Sequence, residues 1–120
     1  MRNALPSTAA MGYGGYKFKW TDSEKKIARK AFDRALKSEL DEVIVETKRR
    51  ASAVQRPDDA WDLAEYLMNQ RKQINASYDY RYSALPLVFA ALVKAGRLNE
   101  QELGGLHQDK LAEIRRLSKL

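Results

Sequence analysis

Apolar residues recur at steps of three and four through the first half of the chain. Ile27, Ala31, Ala35, Leu36, Leu40, Val43, Ile44, Ala51 and Val54 follow this spacing, with Thr47 between them and Phe32 widening the stripe. No glycine or proline interrupts the run before Pro57. The pattern predicts an amphipathic helix over about 22–55. Its start is marked by Thr21-Asp22-Ser23-Glu24. In such a capping box the Thr hydroxyl accepts a backbone N–H, and the Glu reaches back to the cap. Glu46 and Arg50 stand one turn apart and are placed to pair.

A helix of that length spans roughly 50 Å at 1.5 Å per residue. A compact chain of this size is only roughly 35 Å across, from a radius of gyration of about 13–14 Å. The helix must therefore overhang its own domain or bend. The stripe continues through Ile44 and Val54, so the overhang has apolar surface to bury. A second copy of the chain is the simplest cover, and a homodimer is expected.

Pro57 ends this helix, and Asp58 or Asp59 is expected to cap a second one over about 59–76. Its apolar residues are Ala60, Trp61, Ala64, Leu67, Met68 and Ile74. Ser83 is expected to cap a third helix over about 84–95, with Pro86 in the tolerant first turn and Gly96 as its stop. Asn99 to Glu102 reads as a short turn, and a last helix is expected over about 108–118. The predicted fold class is all-α: a long N-terminal helix in a helical hairpin, plus a small C-terminal head of short helices, dimeric. Residues 1 to about 19 read as a flexible tail, and 20–120 as one domain. Between the second and third helices, Tyr78-Asp79-Tyr80-Arg81-Tyr82-Ser83 alternates like a strand. Its helical flanks make it a junction. Its rings are expected to pack there and fix the angle of the head, with hydroxyls at the rim, while Asp79 and Arg81 cap or pair locally.

Composition narrows the chemistry. The chain of 120 residues has no cysteine, which removes disulfides, zinc-thiolate sites and thiol catalysis. The net charge of +6 permits an anionic partner without selecting one. No apolar run reaches the roughly 20 residues of a membrane span, so no membrane insertion is expected. The start lacks the apolar core of a secretory signal, and a cytoplasmic location is expected. The one histidine, His107, follows a Gly-Gly turn with no nucleophile elbow nearby, and reads as a surface or capping residue. Asp58, Asp59, Asp62 and Glu65 cluster at a helix start, where acids complement the dipole. No Glu-x-x-His motif accompanies them, so neither metal nor cofactor is expected and the chain does not read as an enzyme. Lys48-Arg49-Arg50 lies near a helix C-terminus, where basic residues offset the dipole. No nucleic-acid-binding signature accompanies it, so nucleic acid is not the expected partner. Trp61, Glu65, Met68 and Arg71 share a broad helical face, a mixture typical of protein contacts.

The chain resembles the fluorescence recovery protein family of cyanobacteria over about residues 20–119. The resemblance rests on Trp20 before the capping box and on the spacing of Trp61, Leu63, Leu67 and Arg71. It rests further on the run from Tyr78 to Leu98, YDYRYSALPLVFAALVKAGRL, and on Gly105-Leu106 with Asp109-Lys110-Leu111-Ala112. The resemblance implies a non-enzymatic, α-helical dimer. Such a protein binds the photoactivated orange carotenoid protein, speeds its return to the resting state and relieves phycobilisome quenching. It further implies dimer- or partner-binding roles for Trp61, Glu65, Arg71 and Leu87, and a scaffold role for Tyr78, Asp79, Tyr80, Arg81 and Tyr82. Association with the thylakoid surface through the partner is implied as well. The chain departs from the family pattern at Ala64 and Glu65 (His-Asp is usual), at Leu87 (an aromatic) and at Glu113 (a lysine). These departures carry an alternative: a divergent adaptor, in a bacterium without phycobilisomes, for a different protein partner.

Overall fold

The computed structural model describes residues 18–120, which leaves most of the expected N-terminal tail outside the described residues. Four helices follow one another: α1 (Asp22–Ser52), α2 (Pro57–Ser77), α3 (Leu85–Lys94) and α4 (Gln108–Ser118). A 3-10 turn, Glu100–Leu103, separates the last two. The described residues contain no strand, only an isolated bridge between Gly104 and Leu106.

The capping box at α1 forms as read. Thr21 Oγ1 accepts from the N–H of Glu24 at 3.2 Å, and Glu24 Oε1 accepts from the N–H of Thr21 at 3.0 Å. The far end closes at Ser52, three residues earlier than the periodicity suggests. There the N–H groups of Ala53 and Val54 turn back to the carbonyls of Arg50 and Ala51. The ring of Pro57 disfavours a helical Arg56, which is extended at φ −128°, ψ 159°. Neither Asp58 nor Asp59 is the cap residue of α2; Arg56 is. Asp59 acts from inside the first turn, its Oδ2 accepting from the N–H of Gln55 and of Arg56 at 3.1 Å each. Ser83 does not cap α3 either. The cap position is Ala84, with no side-chain hydrogen bond, and the N–H groups of Ala84 and Leu85 bond to the carbonyl of Arg81 instead. Gly96 does end α3, at φ 76°. The N–H of Arg97 reaches the carbonyl of Leu92 at 2.8 Å, closing a Schellman turn that a side chain with Cβ resists.

One hydrophobic core joins the first half of α1 to everything after Leu85. Ala28, Ala31, Phe32 and Ala35 face Leu85, Val88, Phe89 and Leu92 of α3, then Leu98, Leu103 and Leu106, then Ile114 and Leu117 of α4. Phe89, Leu85 and Leu103 are fully buried. Burying each contributes roughly 1.5–3 kcal/mol. Beyond Ala35, α1 has no buried residue, and α2 has only Ile74. α2 runs back along this second half of α1: Arg50 lies over the ring of Tyr66 at 3.9 Å, and Tyr78 meets Glu39 at 2.8 Å. The second half of α1 and α2 together form an arm. The arm makes the molecule long, at 53 × 31 × 26 Å with a radius of gyration of 17.2 Å.

Candidate functional site

Exposed apolar side chains concentrate on the arm. Leu40, Ile44 and Val45 of α1 are 42%, 53% and 68% exposed, and Trp61 and Met68 of α2 are 68% and 64% exposed. Trp61 is therefore no part of this chain's own core. Its helical neighbours at steps of four and three, Glu65, Met68 and Arg71, are also exposed, so the expected face exists in the round. Charge is sorted along it. Asp58 and Glu65 occupy its N-terminal half, and Arg71 and Lys72 its C-terminal half, all exposed. Leu87 stands apart. It is half exposed on the first turn of α3, whereas Trp61 lies on the order of 25 Å along α2 from the junction that leads there.

At that junction the tyrosines pack as a ladder. Tyr78 and Tyr80 both meet the edge of Phe32, at centroid distances of 5.4 and 4.8 Å. Tyr80 contacts Tyr82, and Tyr82 contacts Trp20, each at 5.6 Å. Arg29 lies 4.0 Å over Tyr80. Arg81 pairs with Asp79 at 2.9 Å, as the spacing suggests. Two hydroxyls turn inward rather than to the rim. That of Tyr78 donates to Glu39 Oε1, and burial together with this bond pushes its pKa up. That of Tyr80 is buried with no hydrogen-bond partner among the described residues.

A second cluster escapes the apolar periodicity altogether. Glu24 and Lys110 form a buried ion pair at 3.0 Å, with side chains 6% and 3% exposed. The carboxylate also accepts from the N–H of Thr21 and, at 2.9 Å, from that of His107. Burial would raise its pKa, but the Thr21, His107 and Lys110 donors outweigh burial and lower it from 4.5 to about 2. The ammonium of Lys110 lies 5.1 Å from the ring of Trp20 and 5.4 Å from that of Phe18. Phe18, which the sequence assigns to the tail, is thus packed against α4. The signal that marks Glu24 is its place one turn before Ala28, on the buried stripe of α1.

The remaining candidates carry structural roles. His107 is the exposed cap of α4, its Nδ1 facing Asp109 Oδ1 at 2.7 Å. Arg49 and Arg50 of the basic run both bond to Glu46, and hold its carboxyl down to about 2. Arg97 ties the turn after α3 to α1 through Glu39 and Glu42, and Arg34 reaches Glu102 and the carbonyl of Arg97. No cluster of carboxylates and imidazoles suited to a metal occurs among the described residues, and none of their helices is long and apolar enough to cross a membrane.

Residues 20–118 match the family of the photoprotection regulator fluorescence recovery protein. The chain belongs to that family. It is 35% identical over 101 residues to the fluorescence recovery protein of Synechocystis sp. (strain ATCC 27184 / PCC 6803 / Kazusa), covering 84% of this chain and 93% of that protein. Among solved structures, the Fremyella diplosiphon fluorescence recovery protein is 39% identical, with a TM-score of 0.81 over 85% of this chain and 100% of that one. The Synechocystis sp. PCC 6803 protein superposes with the same score and coverage at 34% identity. The family is one of photoprotection regulators, and the regulatory reading of the sequence agrees with it.

Proposed function

We propose that this protein is a non-enzymatic regulator that binds the photoactivated orange carotenoid protein and speeds its return to the resting form, relieving phycobilisome quenching. Its work belongs in the cytoplasm, beside the thylakoid surface where that partner acts. The observation that carries the reading is family membership across the whole helical region, 20–118. The action is differential binding: a regulator that engages the photoactivated form and binds the transition state of its return more tightly still speeds that return. Lowering the recovery barrier by about 1.4 kcal/mol makes recovery tenfold faster.

The working form is a homodimer, in which the hairpin arm meets its copy and the head of short helices projects from it. Support comes from the sorted charges on α2. A two-fold axis near Met68 sets Glu65 of one copy against Arg71 of the other, and stacks the exposed apolar residues between them. Trp61, Glu65 and Arg71 serve this dimer and partner surface, and Leu87 extends the partner surface onto the head. Tyr78, Asp79, Tyr80, Arg81 and Tyr82 hold the two parts in register.

The test is the dark recovery of photoconverted orange carotenoid protein, followed by absorbance with and without excess regulator. Recovery about tenfold faster is expected. An unchanged rate at high excess removes this partner and assigns the surface to another protein.

A further inference from the structure

The two parts of the chain differ in what holds them. Of the buried apolar residues, all but Ile74 belong to the core shared by α3, α4 and the first half of α1. The arm has almost none of this. Arg97 anchors its base to the core through Glu39 and Glu42. Its remaining ion pairs are local: Lys37 with Asp41, Glu46 with Arg49 and Arg50, and Arg56 with Asp59. Each joins residues three or four apart on one stretch of chain, and none ties α1 to α2. The polar and ring contacts between the two sides of the arm are the Arg50–Tyr66 stack at one end and the Tyr78–Glu39 hydrogen bond at the other. Helices in water draw most of their stability from an apolar face that is covered, not from propensity. Here Trp61, Met68, Val45 and Ile44 face outward.

We infer that the arm is completed only by a second copy of the chain: in the dimer it is ordered, and in the lone chain it opens while the rest stays folded. The inference rests on the proposed dimer and adds its regulation. The face carrying Trp61, Glu65 and Arg71 is built by association and dissolves on dissociation, so protein concentration controls whether it exists.

Amide hydrogen exchange on full-length protein tests this, with mass in solution measured alongside. The comparison is between wild type and the double variant Trp61→Glu, Met68→Glu. Both side chains are mostly exposed in the chain alone, so charge there does not disturb its own packing. The variant should be monomeric. Its amides between residues 43 and 76 should exchange about 100-fold faster than in the dimer, with those of 24–35 and 85–117 within about threefold. A monomeric variant whose arm stays as protected as in the wild-type dimer overturns this inference and leaves the dimer standing. A monomeric wild type, or a variant that remains dimeric, overturns the dimer at this face instead.

Discussion

Glu24 accepts hydrogen bonds from two helix starts at once, its own and that of α4, and pairs with an ammonium from 86 positions away. Its removal is therefore felt across the core. Lys110→Met leaves a buried carboxylate without its cation and should cost roughly 3 kcal/mol of unfolding free energy in urea titrations. The pair also sets an acid limit. Because folding lowers the Glu24 pKa from 4.5 to about 2, its contribution is complete above 4.5 and fades as pH falls toward 2. Glu24→Gln should flatten the fall in stability across that window, and an unchanged slope would assign the acid sensitivity to other carboxylates. This pair shows what periodicity cannot read. Glu24 is legible as a cap because capping is local, but its partner is chosen by the docking of α4, which no spacing within α1 encodes. The inward turn of the Tyr78 and Tyr80 hydroxyls has the same origin, since Glu39 and Phe32 meet them only after folding.

Helices were legible because their signals are local. The capping box, Pro57, Gly96 and the steps of three and four set all four helices within three residues of their ends. Where caps were misread, at Asp58, Asp59 and Ser83, a neighbouring backbone group or an inner side chain took the bond first. The turns that seat α4 make a graded prediction. Gly105 has φ 104°, and a Cβ there would lie 2.6 Å from Ile27 Cδ1, whereas Gly96 has φ 76° with open space around it. Gly96→Ala should cost only the left-handed backbone penalty, about 1 kcal/mol. Gly105→Ala adds displacement of Ile27 and should cost about 2 kcal/mol or more, read from thermal melts of the two variants. Equal losses would mean that Ile27 yields freely.

The whole molecule is a long arm on a compact core. Mass measurement at micromolar concentration should give a dimer, and Trp61→Ala should weaken it by about tenfold or more, as large aromatic anchors do. An unchanged dissociation constant would place Trp61 on the partner's side alone. The face itself was legible as a helical mixture of Trp, acid and base. Its exposure was not, because a stripe that is buried within a chain and one buried between chains look alike in sequence. The chain has two tryptophans, one in each part. Trp20 sits among Tyr82, Lys110 and the core, while Trp61 stands in solvent on the arm. The protein thus carries its own pair of optical reporters. With Trp20→Phe, emission comes from the arm alone and should shift to the red on dilution; with Trp61→Phe, it comes from the core and should hold its colour.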